Sequence, residues 1–155
     1  MEDVNSKFTL NIIGDKIVNM SEEDIVKKLL IEHPIDELVK FSELNIQERI
    51  RDNSFMIVKY RELYYKELAI LDDLETKHDK LCGIKYKYYR FDDDKEWSKV
   101  EIEKYCLPSD KKVIQMKNIL NKQKIRVRFF EMSYRGFEKL QWSIKSYIDT
   151  VKSGY

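Results

Sequence analysis

Between Val113 and Val151 the residues Val113, Met116, Leu120, Gln123, Val127, Phe130, Tyr134, Phe137, Gln141, Ile144, Ile148 and Val151 recur at steps of three and four without a slip. A period near 3.5 sustained for more than five heptads belongs to a helix whose seam lies against another helix. A second seam, Ile57, Tyr60, Tyr64, Leu68, Leu71, Leu74, His78 and Leu81, runs from a helix start near Asn53-Ser54. The two predict an antiparallel hairpin. Only 4 glycines and 2 prolines interrupt a chain that is 37% charged, a balance that suits long helices with solvated faces. The expected class is all-α.

Residues 54–155 form the expected hairpin core, with a long helix over 54–91, a connection over 92–109 and a C-terminal helical region over 110–152. Asp92-Asp93-Asp94 supplies the turn, since adjacent like charges repel and aspartate is a poor helix former. A short helix from Ser98 ends before Leu107-Pro108, and Ser109-Asp110 caps the last helix. The first arm looks shorter than the second seam. Val127, Phe130, Tyr134, Phe137, Trp142, Ile144 and Ile148 are therefore expected at an interface with another copy of the chain, because so much wet aromatic surface is unfavourable. The alternative is that N-terminal helices fold back over them.

Residues 1–53 read as an acidic arm with short helices. Met1 to Met20 suggests a small hairpin or docking tail. Ser21-Glu22-Glu23-Asp24 opens a helix that runs to Pro34, followed by Asp36 to about Phe41 and a third helix around Ile46 to Ile50.

No catalytic constellation stands out. Gly14, Gly83, Gly136 and Gly154 are isolated, so no phosphate loop is expected. His78 and Cys82 share a helical face but lack a second pair to complete a metal site. Asp92, Asp93 and Asp94 do not converge as metal ligands would, and Ser109 and Ser143 have no neighbouring histidine. No enzyme activity, cofactor or metal is expected. Cys82 and Cys106 are too few for a disulfide scaffold, there is no apolar signal region after Met1, and no run approaches the ~20 apolar residues of a membrane span. An intracellular, soluble, reduced protein is expected.

Chemistry of contact is concentrated elsewhere. In Lys85-Tyr86-Lys87-Tyr88-Tyr89-Arg90 cations alternate with tyrosines and no acid intervenes. Cations suit a phosphodiester backbone and tyrosines suit the flat faces of unpaired bases. The plainer reading is the end of an amphipathic helix with snorkelling lysines, and the alternation also fits a strand. Net charge is only +1, yet it is unevenly spread: acids outnumber bases up to Ser54, whereas Lys111 to Lys145 holds ten bases against Glu131 and Glu138. That basic segment is a second candidate for anion contact, though many of its cations fall on outer, solvated positions of a coiled coil.

Asp52-Asn53-Ser54-Phe55-Met56-Ile57-Val58-Lys59-Tyr60, then Lys85 with Tyr88-Tyr89, then Leu107-Pro108-Ser109-Asp110-Lys111 and finally Trp142-Ser143-Ile144-Lys145 with Ile148-Asp149 resemble, in order and spacing, the UvsY-type recombination mediators of tailed phages. The likeness covers about the last two-thirds of the chain. It implies a non-enzymatic, mostly helical protein that assembles into a ring through its C-terminal helices. It also implies binding of single-stranded DNA, contact with a RecA-class phage recombinase and with the single-strand-binding protein, and a place in the cytoplasm of the infected bacterium. Such mediators help the recombinase load where the single-strand-binding protein sits. The family's pair of basic residues near the end of the long helix falls here on Gly83 and Lys85; Gly83 carries no charge, which leaves Lys87 and Arg90 to compensate. The alternative function is a coiled-coil adaptor or scaffold that does not bind DNA.

Overall fold

The computed structural model describes residues 19–154. The expected hairpin or tail over Met1 to Met20 lies almost wholly outside them. Among the described residues there are helices and no strand, so the fold is all-α. No helix among them is long and apolar enough to cross a membrane.

Helix α1, Glu22–Glu32, begins where Ser21 accepts a hydrogen bond from the Asp24 amide and three acids occupy the positive end of the helix dipole. Ile25 and Leu29, one turn apart, are its buried residues. Pro34 limits it, and the short α2, Ile35–Leu38, follows. That helix is shorter than the expected run to Phe41. Arg49 then donates to the carbonyls of Lys40 and Glu37, tying the loop to the next helix.

Helix α3, Ile46–Lys87, is 42 residues long and continues through a wider, π-type turn at Tyr88–Asp92. It starts well before the expected Asn53-Ser54, and the anticipated separate helix at Ile46 to Ile50 is its first turn. Asn53 resembles a helix cap in sequence, but its side chain is buried and donates to the Phe137 carbonyl across the hairpin. A tertiary contact outweighs a local preference there. Gly83 lies inside the continuous helix with open space where a Cβ would stand.

The connection comprises α4, Lys99–Glu101, a π-type turn at Ile102–Cys106 and α5, Leu107–Ser109. Ser98 and Glu101 form a reciprocal capping box that starts it. Asp110 caps α6, Lys111–Lys152, by accepting from the Lys112 and Val113 amides.

Helices α3 and α6 have the same length, 42 residues each, about 63 Å at the usual helical rise. This corrects the expectation of a short first arm. Contacts from Asn53–Phe137 through Glu67–Gln123 to Lys85–Asp110 keep the two antiparallel along their whole length. A lower core joins Ile25 and Leu29 to Ile57, Tyr60, Phe130, Phe137, Leu140 and Ile144. An upper core holds Leu71, Leu74, Ile119, Leu120 and Val127.

The expected subunit interface is corrected accordingly. Val127, Phe130, Phe137 and Ile144 are buried in the chain's own core, and Tyr134 and Ile148 are half-buried against it. With α1 and a full-length α3 over the seam, the four buried side chains have no wet surface for a second copy to cover, and Tyr134 and Ile148 keep only part of theirs. Trp142 alone of the seven projects outward, 69% exposed. The seam also drifts: Ser133 and Leu140 are buried and Gln141 and Val151 are exposed, as a helix of 3.6 residues per turn requires against a strict 3.5 repeat.

Candidate nucleic-acid interface

The lysine-tyrosine stretch lies at the hairpin's tip, where α3 passes into its π-type turn, and its side chains divide into two sets. One set points inward, onto Asp110. Lys85 Nζ lies 2.8 Å from Asp110 Oδ2, with its side chain only 21% exposed. The Tyr89 hydroxyl donates to the same oxygen at 2.9 Å, and Tyr86 is half-buried. The other set faces solvent. Lys87 and Arg90 are exposed, and Tyr88 is 45% exposed. Arg90 donates to the Trp97 carbonyl at 2.7 Å, which holds its stem while leaving other guanidinium donors free.

Asp110 thus caps α6 and closes the hairpin at once. Burial pushes its carboxyl up, but hydrogen bonds from Lys85, Tyr89 and the Val113 and Lys112 amides outweigh this and hold it below the usual aspartate value. Burial, then the bond to Asp110, pushes the Tyr89 phenol up to about 12. A depressed carboxyl contributes stability above its unfolded pKa, near 3.9, and loses it as pH falls through the folded value. Asp110→Asn is therefore expected to cost about 1.5 kcal/mol at pH 7, as for a hydrogen bond to a charged group, and to flatten the acid side of the stability curve. Urea unfolding at pH 7 and pH 3 tests this; a variant as acid-sensitive as the parent overturns it.

Of the six expected contact residues, Lys85, Tyr86 and Tyr89 serve the fold, and Lys87, Tyr88 and Arg90 are available to a ligand. Sequence reasoning missed Phe91, which is 76% exposed beside them. It also missed the exposed Tyr105 with Lys104 over its ring at 5.4 Å. The signal for both was the aromatic beside a cation, the pattern already used for Tyr88. The acidic turn is not wholly solvated either: Asp93 is half-buried and accepts from Trp97 Nε1 at 2.6 Å, which fixes the loop below Arg90.

Farther down the hairpin, His78 Nε2 and Cys82 Sγ lie 3.7 Å apart on one wall of a groove of about 490 Å³ that Lys117 and Lys124 border from α6. Burial pushes the Cys82 thiol up, so it is a poor nucleophile. Among the described residues no three histidine, cysteine or acidic side chains are grouped to hold a metal ion. The chain matches no family model, no curated protein and no solved structure.

Proposed function

We propose that this chain is a non-enzymatic recombination mediator that binds single-stranded DNA and helps a RecA-class recombinase load in place of single-strand-binding protein. The observation that carries the DNA contact is the outward set Lys87, Tyr88 and Arg90 at the hairpin's tip, with exposed Phe91 beside it. Cations there can take phosphates and the rings can stack on unpaired bases. The resemblance to the UvsY-type mediators supplies the partners. A ring of subunits, which that likeness also implies, would have to close through exposed surface; the outer face of α3, with Phe55, Val58 and Tyr65 exposed at helical spacing, is suited to it.

Fluorescence anisotropy of a labelled single strand across a salt series tests the tip. Lys87→Ala with Arg90→Ala should make the logarithmic salt slope shallower by about 1.4, at 0.7 per lost contact on single strands. An unchanged slope overturns the tip assignment. The second reading is an adaptor, favoured by that same apolar face on α3; absence of oligonucleotide binding at low salt would bring it forward.

A further inference from the structure

One exposed face of α6 carries a stripe rich in cations, which borders α3 at its upper end, where Lys117 and Lys124 line the groove with Glu75 and Asp79. Lys117, Lys124, Arg128, Arg135 and Lys139 step along it at helical spacing, and each is exposed. From Lys117 to Lys139 the stripe runs about 33 Å at the helical rise. Exposed Trp142 continues the same face, with Lys145 Nζ 5.6 Å from its ring centroid.

A merely solvated face predicts something different. The chain's other exposed helical surfaces pair opposite charges one turn apart, as in Glu23–Lys27, Lys28–Glu32 and Asp73–Lys77. The stripe holds one such pair, Glu131–Arg135, but its four-residue neighbours Lys124–Arg128 and Arg135–Lys139 are both cationic, a spacing that weakens a helix. Among the described residues no carboxylate pairs with Lys117, Arg128 or Lys139. Lys124 meets Glu75 at 3.7 Å and Arg135 meets Glu131 at 2.6 Å. The Lys124–Glu75 pair is exposed and Arg135 is exposed in its pair, so both cations can exchange for a stronger anion. The acids of α6 in this region, Glu131 and Glu138, lie on the flank toward α3, where Glu138 is engaged by Arg61.

We infer that the outer face of α6 is a second single-strand track, in which Lys117, Lys124, Arg128, Arg135 and Lys139 take successive phosphates and Trp142 stacks on an unpaired base. The inference rests on the DNA-binding reading above but uses a different surface. Charge complementarity selects a polyanion. The terminal tryptophan selects a strand with free base faces over a duplex or an acidic protein. The five cations are fixed on one rigid helix, so a strand lying along them gains several contacts for little loss of side-chain freedom beyond their own.

The test uses the full chain and an oligothymidylate of about 20 nucleotides, long enough to run past the stripe and onto Trp142. Lys117→Ala, Arg128→Ala and Lys139→Ala combined should weaken binding at least tenfold and make the salt slope shallower by about 2, for three lost contacts. Tryptophan fluorescence should be quenched on binding in the parent and much less so in Trp142→Phe, although Trp97 remains. Exposed alanines favour helix, and circular dichroism checks that the triple variant stays folded. If the triple variant keeps its affinity and slope while Lys87→Ala with Arg90→Ala loses them, the track is overturned and the tip stands. A triple-sensitive interaction with polyglutamate but not with the oligonucleotide makes the stripe a site for an acidic protein and overturns the track. No binding of the oligonucleotide by the parent at low salt overturns both surfaces.

Discussion

Phe137→Ala is expected to lower the stability of the folded chain by about 3–5 kcal/mol, the cost of emptying a buried aromatic site. Phe137 is 1% exposed, and its ring centroid lies 5.1 Å from that of Tyr60 on the opposite helix. It sits where α1, α3 and α6 share the lower core. Relaxation into the gap is limited, because Phe130 and Tyr60 beside it are themselves fully buried. For a chain of this size the loss lowers the thermal midpoint by about 10 °C. Trp142→Ala, at the exposed position of the same helix, should stay within about 0.5 kcal/mol of the parent. Thermal unfolding with light scattering separates the two roles. If Phe137→Ala keeps its midpoint but gives particles of smaller mass, the residue belongs to a subunit interface and the core described above is wrong.

The seams were legible because burial imposes a period, and a period survives in sequence without any knowledge of the partner. Val113, Met116, Leu120 and Phe130 face inward as their spacing predicts. What covers them was not legible. The start of α3 was misplaced because Asn53 and Ser54 have the local chemistry of a cap, while the deciding interaction, from Asn53 to the Phe137 carbonyl, is 84 residues away in sequence. Moving that start back to Ile46 lengthens the first arm until it matches the second, and most of the seam that called for another subunit is covered by the chain itself.

The contact site was half legible for a similar reason. Alternation of Lys and Tyr marks a surface with two kinds of partner but does not say which members turn inward. That choice is made by Asp110, 25 residues beyond Lys85 in the numbering, which needs counter-charges because it is buried at the foot of α6. Lys85 is the member placed to supply the counter-charge, and Tyr89 adds a neutral hydrogen bond. Lys87, Tyr88 and Arg90 are left to solvent. In the basic segment composition makes the cations look like an ordinary coiled-coil exterior, and the proposed track rests on their placement along one exposed face of α6.

A second large effect is expected at the polar layer that Glu67, Gln123 and Arg126 form within the hairpin's apolar seam. Gln123 Nε2 donates to the Glu67 carbonyl at 2.8 Å and to its carboxylate at 2.7 Å, and Arg126 reaches both carboxylate oxygens at 2.9 and 2.5 Å. Glu67 is buried. Arg126→Ala is expected to cost about 3 kcal/mol, because breaking one side of a buried pair leaves the other charge without its counter-ion. Replacing Glu67, Gln123 and Arg126 together with leucine removes the desolvation cost along with the attraction, so that variant should be no less stable than the parent. The difference between the two would then lie in specificity. Two apolar seams of the same period can slide past each other by a heptad with little loss of burial, and a single satisfied polar layer forbids the slide. The leucine variant should therefore unfold at least as late as the parent but less cooperatively, with weaker near-ultraviolet circular dichroism from its tyrosines. A leucine variant less stable than Arg126→Ala would show instead that the network contributes net stability and that its role in register is secondary.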